Sequence, residues 1–88
     1  METTLTIQHP VGLHARPASI FVQTAKKFSS KITISLDGKE VNAKSILNIL
    51  ALGAGQGAKI QLVVEGEDAE AAIKALTELV ESNFGGVD

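Results

Sequence analysis

Polar and apolar residues alternate in the short segments that we expect to form β-strands. The alternation covers Thr4–Ile7 and Lys31–Leu36, and it is typical of a strand with one face in water. Asp37-Gly38 then favours a tight hairpin turn, after which Lys39–Ala43 returns as a third strand. The apolar-rich segment Ile60–Val64 completes a set of four predicted strands.

The segments between these strands carry apolar residues at helical spacing. The first such segment predicts an amphipathic helix over roughly residues 15–28. Ser45 and Asp68 each precede another apolar series, and both residue types favour the N-cap position of a helix. We expect the helix after Ser45 to end at the glycines of residues 53–57 and the helix after Asp68 to end at Gly85-Gly86.

The order of these elements is strand, helix, strand, strand, helix, strand, helix. A hairpin within the sheet favours antiparallel or mixed pairing, and the amphipathic helices can cover one face of such a sheet. No linker, repeat or low-complexity segment interrupts the pattern. We therefore predict an α+β fold in which residues 1–88 form a single domain.

The composition limits the kinds of site that this domain can hold. The chain of 88 residues contains three aromatic residues and no cysteine, so we expect an aliphatic core and no large interior pocket. The two histidines lack a nearby carboxylate cluster, and we expect no metal and no other cofactor. Because the chain lacks a long apolar run and the features of a signal peptide, we expect a cytoplasmic protein that does not insert into membranes.

Positive and negative charges are divided unequally along the chain. Residues 1–64 contain seven Lys or Arg against three Asp or Glu, whereas residues 65–88 contain one against seven. Such a division orients a small protein as it meets an oppositely charged partner. The basic part contains His14, which makes the surroundings of this residue the first candidate for a binding site.

His14 lies where the first strand gives way to the first helix, within Gly12–Ser19. A helix start at this point would direct the amide N–H groups of Ala15, Arg16 and Ala18 towards an anion. The helix dipole and the Arg16 guanidinium both disfavour a positively charged imidazole. We therefore expect a neutral, nucleophilic ring whose phosphorylated form the same groups would stabilise. On residue type alone, a solitary histidine near a helix start is more often a cap or a surface residue than a reactive group.

Two motifs resemble those of one known family. Gly12–Ser19 is similar to the active-site motif of HPr, the histidine-containing phosphocarrier of the bacterial phosphoenolpyruvate:sugar phosphotransferase system. Val41–Leu47 is similar to the segment that carries the regulatory serine of that family, and the resemblance extends over essentially the whole chain. It implies an open-faced sandwich of a four-stranded antiparallel sheet with three helices on one face, in the order βαββαβα.

The resemblance also implies a role for the histidine. His14 would accept a phosphoryl group on Nδ1 from phosphorylated enzyme I, and Arg16 would help to neutralise its charge. The group would then pass to the enzyme IIA domain of a sugar transporter. Because the partners bring most of the catalysis, we expect a phosphocarrier rather than an enzyme, acting as a monomer.

The same resemblance implies that Ser45 is a site of regulation. It implies phosphorylation by an HPr kinase/phosphorylase in organisms that possess this enzyme, slower transfer from enzyme I and, in some organisms, recognition by a catabolite-control regulator. Without the resemblance, Ser45 is simply a favourable N-cap. Because a helix N-terminus tolerates a phosphate, we expect any inhibition to act on partner docking.

The resemblance also implies a partner-docking surface, formed by the short second helix together with the start of the first helix. Leu47 and Leu50 are candidates for exposed apolar contacts, although the whole apolar series of the short helix is also compatible with a place in the core. A hydrophobic surface surrounded by basic groups suits an acidic partner. The candidate basic residues are Arg16, Lys26, Lys27 and Lys44.

Three other functions stay under consideration. A carrier of the nitrogen-related phosphotransferase branch shares the motif around His14, and only partner identity separates it from the sugar branch. A regulatory paralogue that acts only through the serine is disfavoured, because such proteins lack the reactive histidine and His14 is present. A non-catalytic module that binds a ligand or nucleic acid is disfavoured, because the predicted strand faces lack the stacking aromatics that RNA recognition uses.

Two further signals carry less weight. We interpret His9 as an ordinary polar residue of the loop that leads to His14. The glycines of residues 53–57 do not form a nucleotide-binding motif, because such a motif follows a strand and precedes a helix, which is the reverse of the order here. We interpret them as a flexible connection between helix and strand.

Overall fold

The computed structural model describes residues 1–86, which form four strands, three α-helices and a short final turn. The strands are β1 (Glu2–Thr6), β2 (Lys31–Leu36), β3 (Lys39–Asn42) and β4 (Lys59–Glu65), and the helices are α1 (Ala15–Ala25), α2 (Ile46–Leu52) and α3 (Ala69–Glu81). The elements follow one another in the predicted order βαββαβα. Within the described residues, no helix has the length and apolarity needed to cross a membrane.

The four strands form one antiparallel sheet in the order β1-β4-β2-β3. Leu5 of β1 is opposite Ile60 of β4, and Ile34 of β2 is opposite Leu62 of β4. All four side chains are buried, which follows from the two-residue period of a strand because alternate residues share one face. The three helices cover that face. The predicted α+β open-faced sandwich is confirmed.

The core between the sheet and the helices is almost entirely aliphatic. Phe21 of α1 and Phe84 near the C-terminal end are its two buried aromatic residues within the described part of the chain. Isoleucine, leucine, valine and alanine side chains occupy the remainder. The domain therefore buries small and branched side chains, as the composition predicts.

Helix α1 ends earlier than its apolar pattern predicts. The amide of Lys27 donates to the Thr24 carbonyl at 3.1 Å, and the amide of Phe28 donates to the Ala25 carbonyl at 3.2 Å. Both bonds span three residues, so that the chain tightens after Ala25 and leaves the α-helix. Phe28 lies beyond the helix but is still partly buried against the core. The apolar pattern of the helix therefore continues to Phe28 although the helix itself does not.

Helix α3 also ends before the predicted stop at Gly85-Gly86. The Ser82 hydroxyl donates to the Leu79 carbonyl at 3.1 Å and accepts the Gly85 amide at 3.3 Å. Asn83 and Phe84 both have positive φ angles, 55° and 56°. The chain therefore reverses into a short left-handed turn over residues 83–86, which places Phe84 in the core.

Candidate functional site

The loop between β1 and α1 is held against the segment that follows α2. The Leu13 amide donates to the Ala54 carbonyl at 2.8 Å, and the Gly57 amide donates to the Ile7 carbonyl at 2.8 Å. The glycine-rich segment at residues 53–57 thus supports the loop before α1, in addition to its predicted role as a connection. Gly53 itself ends α2 in a left-handed conformation.

Gly12 allows the closest part of this contact. Its φ angle is +85°, and a Cβ atom at this position would lie 2.4 Å from the Ala54 oxygen and 2.7 Å from Cα of Gly55. Only glycine combines that backbone conformation with so close an approach. Gly12 therefore fixes the distance between the loop and its support, two residues before His14.

Helix α1 begins without a side-chain cap. His14 occupies the N-cap position in an extended conformation, and its side chain makes no capping hydrogen bond. Within residues 1–86 the amides of Ala15 and Arg16 make no hydrogen bond, and Pro17 has no N–H to donate. The helix start therefore presents two unpaired donors and the positive end of the helix dipole.

Ala18 does not belong to this set of free amides, contrary to the sequence prediction. Its N–H donates to the His14 carbonyl at 2.9 Å, which is the first hydrogen bond of the α-helix. Helix α1 begins at Ala15, where its apolar pattern predicts, even though Pro17 disfavours helical torsions in the residue before it. Pro17 is the third residue of α1, a position where the missing N–H breaks no helical bond.

The His14 imidazole is half-buried, and its two nitrogens have different environments. Nε2 is buried and has no hydrogen-bond partner. Nδ1 makes no hydrogen bond within the described residues and is not among the buried unpaired atoms, so it is the nitrogen that solvent reaches. The ring therefore offers Nδ1, rather than Nε2, to an incoming group. Arg16, two residues further on, is exposed.

His9 is buried beside His14, a position that differs from the exposed loop site expected for it. Its side chain is 4% exposed, and its Nδ1 accepts the Val11 amide at 3.1 Å. The rings of His9 and His14 lie 4.8 Å apart between centroids, at an interplanar angle of 60°. The interpretation of His9 as an ordinary loop residue is wrong, because the turn between the two residues brings their rings together. Nothing in the hydrophobic pattern marks that turn.

Helix α2 packs against α1 and presents apolar side chains to solvent. Leu47 is 75% exposed and Leu50 is 37% exposed, whereas Ile49 is fully buried. Ser45 occupies the N-cap position, and its hydroxyl accepts the Asn48 amide at 3.4 Å. The predicted cap is confirmed. Val11, which is not among the predicted docking residues, is 67% exposed.

The basic candidates differ in what their side chains do. Arg16, Lys26 and Lys27 are exposed. Lys44 is half-buried, and its ammonium donates to the Phe28 carbonyl at 2.6 Å. Lys44 therefore holds the end of the α1 segment, and its charge is less available to a partner than the charges of the other three.

Asp68 occupies the N-cap position of α3, but its side chain makes no capping hydrogen bond, contrary to the prediction. Its carboxylate accepts the Ser29 amide at 2.8 Å, the Ser30 amide at 3.0 Å and the hydroxyls of both serines. The hydrogen bond from the Ser30 hydroxyl, followed by that from the Ser29 amide, lowers the pKa of Asp68 to about 2. Four donors outside the helix thus replace the expected cap.

Comparison with known proteins identifies the family of this chain. A family model described as the phosphorylation site of the HPr component of the phosphotransferase system matches residues 1–82. The chain belongs to the HPr family. It is 46% identical over 84 residues to the phosphocarrier protein HPr of Xylella fastidiosa strain Temecula1, and the match covers 96% of this chain and 94% of that protein. The predicted family is confirmed.

Other members of the HPr family are similar in sequence and in structure. The HPr-like protein Crh of Halalkalibacterium halodurans is 44% identical over 81 residues, which cover 92% of this chain and 96% of Crh. A crystal structure of HPr-C-His from Thermoanaerobacter tengcongensis has a TM-score of 0.95 and 55% identity, and it covers 100% of this chain and 99% of that one. An HPr dimer from the same organism has a TM-score of 0.79.

Proposed function

We propose that His14 accepts a phosphoryl group on Nδ1 from phosphorylated enzyme I and donates it to enzyme IIA domains of sugar transporters. One observation carries the proposal. Nε2 is buried, whereas solvent reaches Nδ1, and the amides of Ala15 and Arg16 at the adjacent helix start are unpaired. A reactive nitrogen and donors for an anion therefore meet at the first turn of α1.

The transfer requires little from this chain beyond the placement of one ring. The lone pair of Nδ1 forms a bond to phosphorus while the bond between phosphorus and the donor enzyme breaks, and the reverse exchange passes the group to the next acceptor. The helix dipole, the free amides and the exposed Arg16 guanidinium stabilise the phosphoryl charge. The partners supply the remaining catalysis, so that the protein acts as a carrier rather than an enzyme.

The test is phosphorylation by purified enzyme I and phosphoenolpyruvate, measured by intact mass and by acid lability of the product. We expect one acid-labile phosphoryl group on the wild-type protein and none on His14→Ala. His9→Phe, which retains a ring at the neighbouring buried position, is the matched control. Equal labelling of wild type and His14→Ala would overturn the proposal. Labelling by the enzyme I of the nitrogen-related branch alone would assign the protein to that branch.

The exposed apolar residues Leu47 and Leu50 are proposed to dock the partners, with Lys26 and Lys27 as the main basic contacts. This assignment rests on the exposure of the two leucine side chains, since Ile49 is the residue of this group that is fully buried in the core. Leu47→Ser should raise the KM for enzyme I. It should change the free energy of unfolding by no more than about 0.5 kcal/mol, as surface substitutions do.

Charge reversal tests the basic part of the same surface. Lys27→Glu should slow transfer at low salt, and the loss should shrink as salt screens the charges. Lys74→Glu makes the same change on the exposed face of α3 and should leave the rate unchanged. Lys44→Gln should lower stability more than rate, because it removes the bond to the Phe28 carbonyl. Equal rates for Lys27→Glu and Lys74→Glu would remove Lys27 from the docking surface.

Ser45 is proposed as a regulatory site that acts on docking, through a serine kinase and, in organisms that have one, a catabolite-control regulator. A phosphate here would lie at the N-terminus of α2, which favours negative charge. Ser45→Asp retains an N-cap residue and should slow transfer from enzyme I without loss of stability. Ser45→Ala should lose about 0.5–2 kcal/mol of stability and keep the wild-type rate. A wild-type transfer rate for Ser45→Asp together with a slower rate for Ser45→Ala would contradict this assignment.

A further inference from the structure

His9 is a titratable side chain that the proposed transfer does not use, yet it is almost completely buried. Its Nδ1 accepts a hydrogen bond from the Val11 amide, so this nitrogen carries no proton and the neutral ring is protonated on Nε2. The His9 carbonyl also accepts the Gly12 amide at 2.9 Å. The turn between residues 9 and 12 therefore fixes both the backbone and the ring of His9.

The fixed ring of His9 contacts the ring that would carry the phosphoryl group. The centroid distance of 4.8 Å and the interplanar angle of 60° fall in the range of edge-to-face aromatic pairs. His14 Nε2 is buried in this region without a hydrogen-bond partner, so no polar group of the described chain sets the orientation of the His14 ring. Ring packing is the remaining means of orienting it.

We propose that His9 is a positioning residue for His14. Its buried ring holds the His14 imidazole with Nε2 towards the protein and Nδ1 towards solvent, and thereby selects the nitrogen that is phosphorylated. The inference rests on the proposed role of His14 as the acceptor. It assigns a function to His9 that the active-site motif, which begins at Gly12, does not contain.

Two substitutions separate the ring contact from the hydrogen bond to Val11. His9→Asn replaces the ring with a short side chain whose oxygen can still accept an amide two residues on, as asparagine commonly does in turns. His9→Phe keeps an aromatic ring and removes the acceptor. If the ring contact positions His14, the phenylalanine variant should behave as wild type and the asparagine variant should not.

The readout is the ring nitrogen that becomes phosphorylated by phosphoramidate, a small donor that needs no partner protein. Nδ1 or Nε2 forms a bond to phosphorus while the phosphorus–nitrogen bond of the donor breaks and ammonia leaves with a proton. Phosphorus and nitrogen NMR then identify the modified nitrogen. We expect only the Nδ1 product for wild type and His9→Phe, and additional Nε2 product for His9→Asn.

The rate of Nδ1 phosphorylation gives a second readout. We expect His9→Asn to lose at least about threefold and less than the ~100-fold that a misplacement of about 1 Å can cause. The inference is overturned if His9→Asn matches wild type in product and rate, or if His9→Phe is impaired as much as His9→Asn. A wild-type protein without nuclear Overhauser contacts between the two rings would overturn it independently of folding in the variants. Failure of enzyme I to label wild type would refute the proposed function and leave this test intact.

Discussion

Helices α1 and α3 each follow a loop from the sheet, yet their N-terminal ends are built in opposite ways. At α3, the Asp68 carboxylate accepts four hydrogen bonds from Ser29 and Ser30, and Glu70 places an acid in the first turn. At α1, the side chain of the N-cap residue bonds to nothing in the helix and the first turn contains no acid. One helix start is joined to a neighbouring loop, and the other is left open.

The two helix starts differ in the charge of the first turn, which contains an acid in α3 and none in α1. A carboxylate in the first turn of α1 would favour the helix, as Glu70 does in α3. Such a group would also occupy the place of an external anion. Under the proposed function, the open start of α1 gives up local stability for the ability to bind an anion, which is a common relation between stability and activity. Gly12 and the loop contacts keep that open start in place.

The largest expected effect comes from Gly12→Ala. The substitution imposes a positive φ angle on alanine, and its Cβ would meet the Ala54 oxygen at 2.4 Å. We expect the free energy of unfolding to fall by about 2–5 kcal/mol, from the unfavourable conformation and the overpacking together, with loss of phosphoryl acceptance by the remaining folded protein. Urea unfolding and phosphorylation of His14 measure the two effects.

Gly38→Ala is the matched control for this change. Gly38 has nearly the same φ angle, +84°, and a Cβ atom added there would have no neighbouring atom within 4 Å. The variant should lose only about 1–2 kcal/mol and keep normal phosphoryl acceptance. Equal losses for the two variants would mean that the close approach to Ala54 contributes nothing.

Asp68→Asn should have the next largest effect, and on stability alone. The amide side chain has one acceptor oxygen in place of two, which leaves the buried Ser30 hydroxyl and the Ser29 amide to compete for it. We expect a lower unfolding midpoint in urea at pH 7 and an unchanged rate of phosphorylation. Glu67→Gln, one residue away on an exposed side chain, should leave both measurements near wild type.

The pH dependence of the stability of wild type and Asp68→Asn gives an independent check on the role of Asp68. The pKa of Asp68 is lowered to about 2 in the folded protein, against about 3.9 in an unfolded chain. Its contribution is therefore complete above about pH 4 and is lost as the pH falls towards 2. Wild type should lose more stability than Asp68→Asn between pH 4 and pH 2. Parallel curves for the two proteins would show that Asp68 is not held as described.

The fold could be predicted from the sequence because its signals are local. The alternation of polar and apolar residues, the hairpin at Asp37-Gly38 and the cap at Ser45 each depend on neighbours within a few positions. The Asp68 carboxylate instead bonds to residues 38 and 39 positions away, and no local pattern specifies such a partner. The sequence therefore located a helix start correctly and assigned its side chain to the wrong hydrogen bonds.

In the candidate site, too, some features could be predicted from the local sequence and others depend on tertiary packing. A short motif singles out His14 and Arg16 as candidates, and the free amides of Ala15 and Arg16 follow from helix geometry. The burial of His9 and the bond from Lys44 to the Phe28 carbonyl depend on how separate segments pack. Residue type favoured a polar loop for the first and a free cation for the second. Only the tertiary structure corrects both interpretations.

A substitution at Ala15 tests the open start of α1 directly, and its expected effect on stability is small. Ala15→Asp adds a carboxylate to the first turn at an exposed position, and it should raise the free energy of unfolding by about 0.3–1 kcal/mol. The same carboxylate should slow phosphoryl acceptance by about five- to thirtyfold at low salt, because repulsion of about 1–2 kcal/mol is expected between it and the incoming group. High salt should restore part of the rate.

Ala15→Asn is nearly the same shape without the charge, so it should leave the rate close to wild type. A variant series in which aspartate slows transfer, asparagine does not, and salt narrows the gap would establish that the open first turn serves an external anion. If asparagine slows transfer as much as aspartate, the effect is steric rather than electrostatic. The contrast between the two helix starts would then concern space at His14, and the dipole and free amides would no longer explain why α1 lacks an acid.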